Sequence, residues 1–162
     1  MDTNLAAVLR SPRTELVLRV VGALLLLFVG ADHYYEYAAE HYSVLPTIGT
    51  LFLLNFASAT ALALVLLAPL SRAVPRFNRA VLQGAALSGF GLAATSLTAL
   101  LVSEQTTLFG FMEFNYRSAV VVALASEGAA AVVLALLFVV ARRRSTSSEV
   151  VHGRTAAMSR AH

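Results

Sequence analysis

The chain has 162 residues, 58% of them apolar and 13% charged, against roughly 45–50% and 25% in an ordinary soluble domain; that balance excludes a typical water-soluble globule. It has no cysteine, which removes disulfides, thiolate zinc sites, cysteine-ligated iron-sulfur clusters and CxxC redox chemistry. All twelve basic side chains are arginine and the formal net charge is +3, but the arginines flank apolar stretches instead of forming one stripe, so nucleic acid is not an expected partner.

About 20 helical residues cross a hydrocarbon core of about 30 Å, and four apolar stretches meet that length. They run over residues 16–37, 47–68, 80–102 and 118–141. The expected fold class is therefore all-α: a left-handed, up-down-up-down four-helix transmembrane bundle. Residues 1–15 form an N-terminal segment, and residues 142–162 form a basic tail expected to be disordered. The prolines punctuate the helices without breaking them. Pro46 precedes the second span, where a missing N–H is harmless, and Pro69 and Pro75 mark the turn after it.

Arginine asymmetry across short loops sets the expected orientation. Arg10, Arg13 and Arg19 lead into the first span, Arg72, Arg76 and Arg79 occupy the second connection, and Arg142, Arg143, Arg144, Arg154 and Arg160 follow the fourth span. The first and third connections hold Asp32, Glu36, Glu40, Glu104 and Glu113 against the single Arg117. Both termini are thus expected in the cytoplasm, with the chain in a bacterial cell membrane. A competing reading takes Val29-Gly30-Ala31 as a small-residue cleavage site behind the apolar run; four spans that satisfy the arginine rule at every connection weigh against it.

The stretch from Asp32 to Tyr42 reads as an interfacial helix at the outer surface. Helical offsets place His33, Glu36, Tyr37, Glu40 and His41 on one side. His33, Glu36, Glu40 and His41 are candidate metal ligands, with Glu104 or Glu113 available from the other outer loop. The histidines are eight apart, however, and no zinc-helix signature has that spacing. The simpler reading is a tyrosine belt with solvated acids, repeated by Phe109, Phe111, Phe114 and Tyr116 in the third connection. Arg117 can pair with Glu113 or with a glutamate of the first loop.

Within the spans, Glu127 stands nine residues past Ser118, or about 13 Å deep by helix rise. An ionisable group at mid-depth is a candidate functional residue by default. Asn55 lies about 12 Å deep in the second span, and Thr95 and Ser96 complete a candidate intramembrane polar layer from the third. Desolvation favours a neutral Glu127 carboxyl donating to Asn55 or to a carbonyl, which makes a structural hydrogen bond one reading and an ion-exchanging site the other. Arg19 is a more distant candidate partner, though its position suits snorkelling. Gly84, Ser88, Gly89, Gly91 and Ala93 suggest a third span packed closely on both sides.

Tyr42, Pro46, Ile48-Gly49 and Leu51-Phe52-Leu53-Leu54-Asn55, with Phe109-Gly110-Phe111 and Glu113, resemble the small four-helix integral membrane proteins of unassigned function found in actinobacteria. The resemblance covers roughly residues 16–141 and implies topology and source, not activity. No nucleophile elbow, P-loop or dinucleotide fingerprint is present in a suitable context, and no cofactor is expected beyond the candidate metal. Two function classes stay open: a non-enzymatic accessory, assembly or scaffold subunit of a membrane complex, and a small proton- or cation-coupled transporter using Glu127. A metal-binding protein using the His33 to His41 stretch is a distant third. The expected partners are the bilayer itself, anionic lipid at the arginine-rich segments, and further copies of the chain or a larger membrane complex.

Overall fold

The computed structural model of the protein describes residues 11–112 and 118–159, with side chains described as far as Arg144. Four long helices carry the fold: α1 (Pro12–Ala38), α2 (Pro46–Leu67), α4 (Asn78–Ser103) and α5 (Ser118–Ser159), with one short helix, α3 (Leu70–Ala73), in the second connection. All four are long and apolar enough to cross a membrane, α5 through its Ser118–Arg144 portion. The protein is an all-α bundle of four candidate membrane-spanning helices.

Local chemistry sets the helix ends. Ser11 caps α1, its Oγ accepting from the Arg13 N–H at 3.2 Å, and Pro12 occupies the first turn. A hydroxyl cap followed by proline starts a helix efficiently, so α1 begins four residues ahead of the expected position 16. Its 27 residues span about 40 Å, longer than the hydrocarbon core. α1 stops at Ala38 and the chain reverses at His41, which takes a left-handed conformation with φ 64°, one that histidine tolerates better than most residues. Pro46 opens α2, and Ala68, extended because Pro69 follows it, closes that helix. The backbone of α5 continues helically to Ser159, where composition pointed to a disordered tail. No proline follows Pro75, so nothing in the chain forces an earlier stop.

The helices form a ring in which α1 packs on α2 and α5, and α4 packs on α5; α2 and α4 touch least. Leu134 of α5 is the central knob. A Cβ added at Gly22 would lie 2.9 Å from Leu134 Cδ2, and one added at Gly89 would lie 3.0 Å from Leu134 Cδ1 and 3.2 Å from Leu26 Cδ1. The close packing expected of the third span is thus met at Gly89 and at Ala93, which is fully buried in the core, whereas Gly84 and Gly91 face open space. Gly22 and Gly30 of α1 supply the remaining close approaches, Gly30 against the Phe56 carbonyl. Around them Ala23, Ala59, Ala63, Ala86 and Ala130 interdigitate with Leu26, Leu66 and Leu137. The outer surface exposes Leu16, Leu24, Phe28, Leu64 and Val132, an apolar exterior suited to lipid.

Charges gather at the end of the bundle that carries α3. Glu15 Oε2 accepts from Arg79 Nη1 at 2.7 Å and from Arg144 Nη1 at 3.0 Å, joining α1, α4 and α5. Arg19 donates to the Leu66 carbonyl at 3.0 and 2.6 Å and to the Ala68 carbonyl at 2.9 Å. It thereby caps the C-terminus of α2, where cations are favoured, and does not approach Glu127.

Candidate functional site

The other half of the bundle, toward the first and third connections, holds a partly open cavity of about 880 Å³. Apolar side chains of α2 and α4 make most of its wall, including Ile48, Phe52, Phe90 and Leu92. An aromatic chain runs along one side: the His33 ring meets Phe52 edge-on at 5.3 Å, Phe52 meets Tyr42 at 5.1 Å, and Tyr42 meets Phe111 at 5.4 Å. Gly49 seats the Tyr42 turn, because an added Cβ would stand 2.7 Å from the Tyr42 carbonyl. Phe109 and Gly110, both at positive φ (54° and 79°), turn the third connection between paired Leu108 and Phe111. That is the backbone of a type I′ turn, and it brings Phe111 back to the cavity.

The polar floor lies between α1, α4 and α5. Glu127 is 1% exposed, and its Oε1 accepts from Ser96 Oγ at 2.6 Å. His33, 7% exposed, places Nε2 at 3.1 Å from Ser96 Oγ and 3.5 Å from Glu127 Oε1. Its Nδ1 lies 2.9 Å from the Val29 carbonyl. A carbonyl only accepts, so Nδ1 carries a proton; this tautomer follows from the partner's chemistry.

With Nδ1 protonated, the trio has two self-consistent proton arrangements. In the neutral one, a protonated Glu127 donates to Ser96 Oγ and the Ser96 hydroxyl donates to His33 Nε2. In the charged one, His33 Nε2–H donates to Ser96 Oγ and the hydroxyl donates to the Glu127 carboxylate. The two differ only by concerted shifts through a single hydroxyl, so the geometry can relay a proton between Glu127 and His33.

Two oxygens of cavity-lining residues are unsatisfied. Glu127 Oε2 and Asn55 Oδ1 are buried, with no hydrogen-bond partner among the described residues, and both residues line the cavity. Leaving such an oxygen unpaired costs about 1–3 kcal/mol. A purely structural role explains Oε1, which Ser96 holds, and leaves Oε2 unexplained.

Of the residues expected in the polar layer, Ser96 bonds Glu127 directly, while Asn55 and Thr95 line the same cavity without bonding it. The candidate metal set does not assemble. His33 and Glu36 are buried and line the cavity, whereas Glu40 and His41 are exposed, Glu40 accepting from the Tyr35 hydroxyl at 3.2 Å. Among the described residues no three His, Asp or Glu side chains group to hold a metal. The physical reason is the end of α1 at Ala38 and the left-handed turn at His41, which break the helical face that offsets of seven and eight require. Glu113 and Arg117, the expected ion pair, lie outside the described residues, as do Phe114, Tyr116 and Arg10.

Sequence reasoning missed His33 as a member of the intramembrane site, because the tyrosines around it signal an interface. The usable signal was the register of α1: Gly22, Leu26, Val29, Gly30, His33 and Glu36 follow helical spacing, and all six are buried. No family model, curated protein or solved structure matches the chain. Function is therefore argued from the site's own geometry.

Proposed function

We propose that this is a multi-pass membrane protein that exchanges a proton or cation at Glu127, the core of a small coupled transporter. One observation carries the reading: a fully buried carboxyl beside a large cavity shares one oxygen with a serine–histidine relay and leaves the other without a hydrogen-bond partner among the described residues. Buried intramembrane acids beside a cavity are the usual elements of proton and ion pathways. In this reading the arginine-bearing end with α3 faces the cytoplasm of a bacterial cell, anionic lipid headgroups attend its arginines, and the cavity end faces out. A reporter fused after Arg72 signals a cytoplasmic location; an external signal overturns the orientation.

The accessory-subunit reading has no comparable observation, since exposed apolar helix faces serve any membrane protein. It predicts that Glu127→Gln is silent and that a partner co-purifies in mild detergent. The deciding experiment is infrared difference spectroscopy of the protein in lipid nanodiscs across a pH titration. The expected result is a carboxyl stretch, missing in Glu127→Gln, that disappears as pH is raised. A Glu127 band that stays protonated throughout makes the residue a structural hydrogen-bond donor and overturns the proposal.

A further inference from the structure

Among the described residues, the formally charged side chains lining the cavity are carboxyls, beside one imidazole. Among the described residues, the titratable groups that line it are Asp32, His33 and Glu36 on α1, Tyr42 in the first connection and Glu127 on α5, with none from α2 or α4 and no arginine. Three carboxyls thus face one neutral-or-cationic imidazole. Two buried oxygens of lining residues, Glu127 Oε2 and Asn55 Oδ1, have no hydrogen-bond partner among the described residues and call for a donor. Carboxylate oxygens accept only, and an amide carbonyl likewise. The rest of the wall is apolar and aromatic, with Phe52, Phe90, Phe109, Phe111 and Tyr42 supplying π faces, which attract cations when desolvated. A volume of about 880 Å³ falls in the range of sites for drug-sized ligands, far larger than a bare metal ion needs.

The geometry points to an organic ammonium ion on an apolar, aromatic body as the ligand of this cavity, its N–H donors meeting Glu127 and Asn55 and its body lying along the aromatic wall. This rests on Glu127 being the exchanging group of the proposed function, and it names the cargo. The proton balance is simple. The ammonium arrives with its charge, Glu127 gives up one proton, directly or through Ser96 and His33, and that proton leaves to water. Retaining it on His33 would place two cations beside one carboxylate in a medium of low dielectric. One cation therefore binds for one proton released, and binding weakens as pH falls.

The test uses the full chain in nanodiscs with two probes of equal skeleton, diphenylpropylamine, protonated at neutral pH, and the uncharged diphenylpropanol. Calorimetry in buffers of different ionisation enthalpy reads affinity and proton release together. The expected result is saturable amine binding about tenfold or more tighter than the alcohol, which corresponds to about 1.4 kcal/mol, with about one proton released per ammonium bound and a loss of about tenfold or more in Glu127→Gln. The amine-to-alcohol comparison on the unaltered chain decides the matter even if that variant fails to fold. Equal binding of both probes makes the cavity merely apolar and overturns the inference. Preferential amine binding that survives in folded Glu127→Gln moves the cation to another carboxyl such as Asp32 or Glu36 and overturns this inference, while the infrared titration of Glu127 decides the proposed function separately. Absent amine binding, with the Glu127 infrared band still titrating, overturns the ligand class and leaves the exchange reading standing.

Discussion

The two halves of the bundle are built from the same four helices and the same alanine-, leucine- and valine-rich alphabet, yet they are finished in opposite ways. Toward α3, small residues let backbones close around Leu134, and each half-buried charged group there has a partner: Glu15 holds Arg79 and Arg144, and Arg19 holds the end of α2. Toward the first and third connections, α2 and α4 wall a cavity floored by Glu127, Ser96 and His33. Satisfied polar groups and dense packing give a half that holds the fold, whereas unsatisfied oxygens beside open volume give a half that can take a ligand.

The sharpest way to break this contrast is Leu134→Ala, which removes the side chain seated on Gly22 and Gly89. A loss of about 2–5 kcal/mol is expected, read as a large drop in Tm in detergent. A loss below about 1 kcal/mol would place the stabilising packing elsewhere. Next in size, Arg19→Gln strips the cap from the Leu66 and Ala68 carbonyls. The expected cost is about 1.5–3 kcal/mol, the range for hydrogen bonds to a charged group, with hydrogen exchange accelerated at the C-terminal turn of α2. Unchanged exchange there would reduce Arg19 to an interfacial cation.

The smallest expected change has the opposite sign. Asn55→Leu replaces a buried, unsatisfied amide oxygen with an apolar side chain of similar volume, so stability should hold or rise by up to about 1 kcal/mol while ammonium binding weakens. A clear fall in Tm would show that the Asn55 amide is already tied into the bundle, and would take it out of the site. Together the three variants ask whether one half supplies stability and the other function.

Much of this architecture is legible in the sequence. Four spans follow from apolar run length alone, because the bilayer thickness fixes how many helical residues are needed. Glu127 and Ser96 can be picked out as a polar layer because their depth is simple arithmetic along a helix. The start of α1 was also written in the chain, as Ser11-Pro12, though hydropathy by itself delays it to position 16. His33 is the instructive miss. Its neighbours Tyr34, Tyr35 and Tyr37 signal an interface, and only the register of its own helix places it inward.

What the sequence determined by itself is the class: composition and span length force an all-α membrane bundle, since in lipid the backbone must satisfy its hydrogen bonds within each helix. What only the tertiary structure decided is the site. Which oxygens of Glu127 and Asn55 find partners depends on the side chains that neighbouring helices bring beside them: Ser96 of α4 and His33 of α1 reach Glu127 Oε1, while Glu127 Oε2 and Asn55 Oδ1 meet no partner among the described residues. Burial of a polar atom is a property of neighbours brought together by folding, so no reading along one helix could supply it.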